Sequence, residues 1–308
     1  MSESASMDHK IYVIIVTYNA MRWIEKCVNS VLNSSYKTTL VIVDNNSSDA
    51  TVKTIKNKYP QAILVENKEN LGFGKANNIG LKIALEKGGN YFLLLNQDAY
   101  LKEDTLQKLM LQMETHKGYG ILSPIHLDGQ GNQIDLYFQT YINPSNCKNL
   151  YSDIYLNKKM KPIYDVRFVN AAIWLLSKKT LHEVGGFNPY FFHYAEDNDY
   201  VNRCKFKSLK VGVVPDAFAY HDREQQVRNS NPRNLANLQD LKLMNPSNNL
   251  SVNKMIRLTF KKAIKALVNW NKSDFLDSIR YLKKLYSSKK QVAKIKNEIK
   301  NNPYPFLN

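Results

Sequence analysis

The stretch IYVIIVTYN, Ile11 to Asn19, decides the fold. Apolar residues run unbroken to Val16, and polar residues arrive at Thr17. A short, uniformly apolar run reads as a strand buried on both faces, the mark of a parallel sheet covered by helices. Trp23, Ile24, Cys27, Val28, Val31 and Leu32 then recur at helical spacing, with Asn19 as the expected cap. TLVIVDNNSSD (Thr39 to Asp49) repeats the pattern, and a helix is expected from about Ala50 to Tyr59. AILVEN supplies a third strand, with a helix starting near Lys75. YFLLLNQDA is the fourth strand, followed by a helix around Glu103 to His116.

Strands alternating with helices mean βαβ units and an α/β fold with a mostly parallel sheet. Ligands bind such sheets at the carboxyl ends of the strands. Thr17-Tyr18-Asn19, Asp44-Asn45-Asn46, Glu66-Asn67 and Asn96-Gln97-Asp98 all stand at such ends. Four polar clusters on one edge are hard to obtain from solubility alone.

The second half is less regular. LDGQGNQIDL reads as a turn between two strands, and the polar stretch from Asn143 to Lys161 as a mobile loop. VRFVNAAIWLLS is again an apolar strand, and VGVVPDAFAYH is a last strand ending at His221. Beyond about Asp222 an Asn-rich segment reads as a linker. Two basic helices follow, Val252 to Trp270 and Phe275 to Lys300. Ile256, Phe260, Ile264, Leu267 and Val268 form an apolar stripe on the first.

The 308 residues, 44% hydrophobic, suffice for one large α/β domain with an appendage. The expected division is a catalytic region over residues 1–225, split near residue 118, and a basic helical extension over 226–308. No apolar run reaches the roughly 18 residues that span a bilayer. The N-terminus MSESASMDHK has no signal-like apolar segment, so a cytoplasmic protein is expected. Cys27, Cys147 and Cys204 lie far apart with no CxxC spacing, which argues against a zinc knuckle or a disulfide framework. Net charge is +16, and from Ser251 onward Lys and Arg outnumber Asp and Glu by 14 to 3. Such a tail invites an anionic partner. Peripheral contact with an anionic membrane stands beside plain packing on the catalytic domain or on a second chain, which would make an oligomer. No nucleic acid is expected, because the tail lacks an RNP-like aromatic motif or zinc fingers.

Three groups of residues carry chemistry, each with a plainer alternative. ENLGFGKANNIG (Glu69 to Gly80) is Gly-rich, yet it fits neither the P-loop nor the dinucleotide fingerprint. It is a ligand loop or a flexible connector before a helix. In YAEDNDYVNR, Glu196, Asp197 and Asp199 crowd a helix start. The helix dipole favours acids there, and Asp199 can pair with Arg203. The same crowding can raise a carboxylate toward the pKa of a general base. His221 gains weight only if it meets Asp98, where His and carboxylate would suit a divalent metal.

Taken in order, VTYN, VDNNSSD, ENLGFGKANNIG, LLLNQDAYL, GGFNPYFFHYAEDNDYVNR and the Tyr220-His221 pair resemble inverting glycosyltransferase family 2, in its rhamnosyltransferase-like branch. The similarity runs from about Ile11 to His221. It implies a GT-A fold, a Rossmann-like nucleotide half joined to an acceptor half. It implies that Thr17, Tyr18, Asn19, Asn70, Gly72, Phe73 and Asn77 shape a nucleotide pocket, and that Asp44 binds base or ribose beside Asn45 or Asn46. Asn96-Gln97-Asp98 stands where the family has its D-x-D element, with Asp98 on Mg²⁺ or Mn²⁺. Asp197 of the Glu196-Asp197 pair would be the general base, and His221 would help hold metal or diphosphate. The implied partners are a UDP- or dTDP-sugar, dTDP-rhamnose among them, and a saccharide acceptor, lipid-linked in many relatives.

Three departures from the family pattern stand out: Asn96 at the first D-x-D position, Ala171 where many relatives have Gly, and Asn188 where Asp is commoner. A reading of a different class is a non-catalytic protein that binds nucleotide sugars or polyanions.

Overall fold

The computed structural model describes residues 9–223 and 233–307. The N-terminal residues read for a signal segment, and residues 224–232 of the expected linker, lie outside the described residues. Among the described residues nine strands form one mixed sheet.

The N-terminal half, expected to bind nucleotide, runs β1 (Ile11–Thr17), α1 (Ile24–Leu32), β2 (Thr39–Asp44), α2 (Thr51–Lys58), β3 (Ile63–Glu66), α3 (Phe73–Glu86), β4 (Tyr91–Asn96), β5 (Ala99–Leu101) and α4 (Thr105–Thr115). The second half, expected to bind acceptor, continues with β6 (Tyr119–Asp128), α5 (Leu136–Ile142), α6 (Leu150–Tyr155), β7 (Tyr164–Asp165), β8 (Ile173–Ser177), α7 (Lys178–Val184), α8 (Glu196–Phe206) and β9 (Lys210–His221). The extension comprises α9 (Arg233–Met244), α10 (Val252–Val268) and α11 (Lys272–Asn301). Strand order is β3-β2-β1-β4-β8-β6-β9-β5, with β7 also on β9. β1, β2, β3 and β4 are parallel, and β8 enters antiparallel to β4.

Alternation along each strand divides the core. Tyr12, Ile14, Val41, Val43, Phe92 and Leu94 face one apolar layer with α3, α7 and α8. Ile11, Val13, Ile15, Leu40, Ile42, Leu93 and Leu95 face the other, with α1 and α4. Both faces are covered, so the continuous apolar strands of the sequence have their physical reason. Register lines up the polar strand ends: Thr17 opposes Asp44, Asp44 opposes Glu66, and Val16 opposes Asn96.

Several expectations need correction. Asn19 does not cap α1. A turn over Ala20–Trp23 intervenes, and the Ala20 carbonyl accepts from the Trp23 and Ile24 N–H groups. Asn19 instead accepts from the Ser48 N–H at 2.8 Å. The turn at LDGQGNQIDL returns through one bridge, Leu127 to Ile134, and then enters α5 rather than a strand. Asp135 caps that helix by accepting from the Phe138 N–H. The stretch read as a mobile loop contains α6 and buries Cys147 and Leu150. The apolar run before β8 is strand only from Ile173. The described part of the expected linker carries α9. On α10 only Ile256 of the stripe seen in the sequence packs, and partly: Val252, Met255, Thr259, Ala263 and Ala266 are buried, while Phe260, Ile264, Leu267 and Val268 are exposed. Small residues at 259, 263 and 266 let α10 and α11 approach closely.

Candidate active site

A cleft of about 420 Å³ opens at the carboxyl ends of β1, β2 and β4. Val16, Tyr18, Asn45, Asn70, Gly72, Phe73, Asn96, Gln97 and Asp98 line it, and Phe192 and His193 close it from the acceptor half. A larger cavity of about 530 Å³ lies at the opposite strand ends, beside Tyr119 and Lys210. The smaller cleft is the better candidate, because ligands of open α/β sheets sit at the carboxyl ends.

The other nucleotide-half candidates hold the cleft in shape. Asn45 is a clamp: its Nδ2 donates to Asn70 Oδ1 at 3.0 Å, and its Oδ1 accepts from the Leu71 N–H at 3.1 Å. Asp44 is buried, with Oδ1 taken by the Thr17 and Ser47 hydroxyls and Oδ2 by the Ser47 N–H. Gln97 accepts from the Tyr18 N–H at 2.8 Å and donates to the Tyr18 carbonyl. Asn77 is buried and donates to the Phe73 carbonyl within α3. Asn46 stands exposed at φ +68°. Thr17, Asn19, Asp44, Asn46 and Asn77 therefore lie around the cleft rather than on its wall.

The Gly-rich loop has a packing requirement of its own. Gly72 stands at φ +81°, and a Cβ there would lie 2.2 Å from the Phe192 carbonyl oxygen. A Cβ on Gly74 would lie 2.9 Å from Phe187 Cβ. Both glycines let this loop touch the segment that precedes Glu196. The pairing was invisible in sequence, since nothing there says that residues 72–74 meet residues 187–192.

Asp98 and His221 do meet. Ala99 pairs with His221 across β5 and β9, and the Asp222 N–H donates to the Asp98 carbonyl at 2.8 Å. That register brings His221 Nε2 to 3.5 Å from Asp98 Oδ1. Burial raises the Asp98 carboxyl, but the His221 hydrogen bond and charge outweigh it and hold it below the ordinary carboxylate value. His221 Nδ1 is buried without a hydrogen-bond partner. The buried His126 ring stands edge-on to His221, 5.8 Å between centroids. One carboxylate oxygen and one imidazole nitrogen fit a hard divalent cation whose remaining ligands come from diphosphate and water. Among the described residues no group of three or more His, Cys, Asp or Glu could hold a metal without such help.

The acid cluster splits into two functions. Asp199 is structural, as the helical spacing allows: it binds Arg203 Nε at 2.8 Å, both side chains fully buried. Asn188 donates to Asp199 and accepts from the Tyr190 N–H. A neutral Asn there avoids a second negative charge beside Asp199, which gives that departure a physical reason. Glu196 is buried, its Oε2 lacks a partner, and burial first, then the Asp197 charge, pushes its pKa up to about 8. Asp197 is also raised by burial, while donors from Asn198 and the Ala171 N–H pull it back. Its Oδ1 accepts from the Asn198 N–H at 2.7 Å. Two acids this close titrate as a pair. Burial raises both carboxyls, and the donors on Asp197 favour its charged form relative to Glu196. Tyr141 is pushed up to about 12 by burial and then by the Asp197 charge, which puts the acid beside the acceptor-half aromatics. Ala171 and Ala172 link the two centres, since the Asn96 N–H donates to the Ala172 carbonyl at 2.8 Å.

This architecture defines a class, the GT-A glycosyltransferases. A sequence model described as glycosyl transferase family 2 matches residues 12–185, more than half of the chain, and the chain belongs to that family. It is similar to the dTDP-rhamnosyl transferase RfbF of Shigella flexneri, 24% identical over 218 residues that cover 70% of each chain. It is also similar to the N-acetylglucosaminyl-diphospho-decaprenol L-rhamnosyltransferase of Mycobacterium tuberculosis, 22% identical over 68% of this chain and 75% of that one. Among solved structures it resembles S. aureus TarS in complex with UDP-GlcNAc, with a TM-score of 0.56, 16% identity and 92% of each chain covered. GalNAc-T7 with UDP, GalNAc and Mn²⁺ matches with a TM-score of 0.58 and 14% identity, over 86% of this chain and 51% of that one. Among the described residues no helix is long and apolar enough to cross a membrane.

Proposed function

We propose that this glycosyltransferase moves one sugar from a UDP- or dTDP-linked donor to a saccharide hydroxyl by single displacement, inverting the anomeric centre. The observation that carries the reading is the presence of two separate acidic centres: Asp98, 3.5 Å from His221 Nε2 in the cleft, and Asp197, a carboxylate raised by burial beside Glu196. The name of the Shigella relative supports dTDP-rhamnose as donor, and that of the mycobacterial one supports a lipid-linked saccharide as acceptor.

A bound Mg²⁺ or Mn²⁺ would neutralise the charge that develops on the departing diphosphate. Asp98 and His221 are the side chains that would hold it, and the Mn²⁺ complex of GalNAc-T7 supports a divalent metal. Tyr18, Asn45, Asn70, Gly72 and Phe73 would receive the nucleotide, with Asp44 and Asn77 bracing that wall. Asp197 takes the proton of the attacking hydroxyl, and its raised pKa makes it a stronger base than a solvated aspartate. Glu196, raised by burial and then by the Asp197 charge, favours its neutral form beside the base.

The test is transfer by purified protein over a panel of UDP-, dTDP- and GDP-sugars with Mn²⁺. Product from one donor, abolished by Asp197→Asn, supports the reading. Saturable donor binding with no product from any acceptor would favour a non-catalytic binding protein.

The exposed face of α10 supports a further part of the proposal, docking on an anionic membrane that presents a lipid-linked acceptor. Phe260, Ile264, Leu267 and Val268 face away from α11, Trp270 is 94% exposed, and Lys254, Arg257, Lys261 and Lys265 are exposed on the same helix. Apolar side chains bordered by cations suit an anionic interface. The full-length protein should float with anionic vesicles at low salt and lose binding on Trp270→Ala with Phe260→Ala. Concentration-dependent dimerisation without vesicle binding would assign the face to a second copy instead.

A further inference from the structure

The segment from Gly185 to Ala195 leads into the acid pair, and its backbone is one its own residues disfavour. Tyr194 and Ala195 stand at φ +64° and +77°. Side chains other than Gly, Asn and Asp rarely adopt this left-handed conformation. It persists only where the surroundings over-determine it.

Besides the loop at Gly72 and Gly74, those surroundings come from the C-terminal extension. Phe191 and Ala195 share one apolar cluster with Leu243, Met244, Val252, Met255 and Leu285. Tyr190 Oη donates to Asp240 Oδ1 at 3.3 Å. Asp240, on α9, is 1% exposed. It also accepts from Tyr281 Oη at 3.0 Å and Lys284 Nζ at 2.5 Å, both on α11. Lys284 Nζ in turn lies 5.2 Å from the centroid of the Tyr190 ring. The far end of the segment is pinned by the chain terminus. The Gly186 N–H donates to the Pro305 carbonyl at 2.8 Å, and the Tyr304 N–H to the His182 carbonyl at 2.9 Å. Gly185 comes so close to Pro305 that a Cβ would lie 1.9 Å from its carbonyl oxygen.

We propose that Asp240 is a positioning residue: held by Tyr190, Tyr281 and Lys284, it ties the helical extension to the segment whose left-handed turn aims Asp197 at the acceptor hydroxyl. The inference rests on the reading of Asp197 as base. A buried carboxylate shared by three donors from two other elements forms a stiff joint. The basic extension is then part of the catalytic apparatus through its buried face, whatever its exposed face meets. Stiffness matters here because a base displaced by about 1 Å costs on the order of a hundredfold in rate.

Asp240→Asn and Tyr190→Phe test it in the full-length protein. Asp240→Asn should lower kcat about tenfold to a hundredfold with donor KM held within about twofold, and Tyr190→Phe should lower it less. Hydrogen exchange over residues 188–197 should quicken while β1, β2 and β4 keep their protection. Tyr190→Phe removes one hydroxyl and no charge, so it keeps the test readable if Asp240→Asn does not fold. Unchanged kcat and loop protection in folded variants would overturn the proposal. So would a uniform loss of protection across the molecule, which marks an ordinary stabilising contact. If the wild-type protein transfers no sugar to any acceptor, the reading of Asp197 fails, while the exchange measurement still decides whether Asp240 holds the segment.

Discussion

Asp98 and the Glu196–Asp197 pair are carboxylates of one protein held in opposite states. Asp98 is pulled below the ordinary value because His221 sits against it. Glu196 is pushed to about 8 because it is buried without a partner next to another acid. The sheet explains the contrast. β9 is long enough to carry an imidazole to the start of β5, beside Asp98, whereas α8 opens with two acids and brings no cation to the pair. Asp199, two residues further on, does have its cation in Arg203 and leaves the chemistry. Residue type alone would not separate these four acids; their neighbours do.

The comparison can be broken at either centre. The largest effect belongs to the base: Asp197→Asn should cost roughly 10²–10⁴ in kcat, the usual worth of general base catalysis, with donor affinity retained. Initial rates and donor titration measure both, and a variant that kept its turnover would remove Asp197 from the mechanism. Next comes Asp98→Ala, which should raise the Mn²⁺ concentration needed for half-maximal rate by at least about tenfold to a hundredfold. Asn96→Ala should shift it less, because Asn96 brings no charge. Equal shifts in the two variants would contradict the assignment of Asp98 as the principal carboxylate.

The smallest effect is on stability. Glu196 has its pKa raised from 4.5 to about 8, so the folded state holds a proton that the unfolded state has lost between those values. Its contribution is therefore full below about pH 4.5 and declines as pH rises toward 8. Denaturant unfolding of wild type and Glu196→Gln should show the stability difference drifting against the wild type over that window. Parallel pH profiles would mean that Glu196 ionises normally.

Much of the nucleotide half was legible in the sequence. β1 to β4 and the helices between them follow from apolar runs and helical spacing, because both faces of that part of the sheet are covered. The polar strand ends were legible for the same reason, and register then set Thr17 beside Asp44 and Val16 beside Asn96. The meeting of Asp98 and His221 depended on a long-range pairing that no local pattern encodes. The glycines at 72 and 74 read as a ligand loop or a connector, and their close packing became visible only with the 187–192 segment beside them. The extension misled most: its visible apolar stripe is mostly exposed, and the packed face of α10 is built partly from small residues, Thr259, Ala263 and Ala266, that periodicity underweights.

The central claim is that one site holds donor and metal through Asp98 while Asp197 serves chemistry alone. Thermal shifts of wild type, Asp98→Ala and Asp197→Asn with UDP- and dTDP-sugars, with and without Mn²⁺, test it directly, since a ligand selective for the folded state raises apparent stability. The account predicts a Mn²⁺-dependent donor shift in wild type, the same shift in Asp197→Asn, and loss of the Mn²⁺ dependence in Asp98→Ala. A Mn²⁺-dependent shift that survives Asp98→Ala, or disappears with Asp197→Asn, would contradict it.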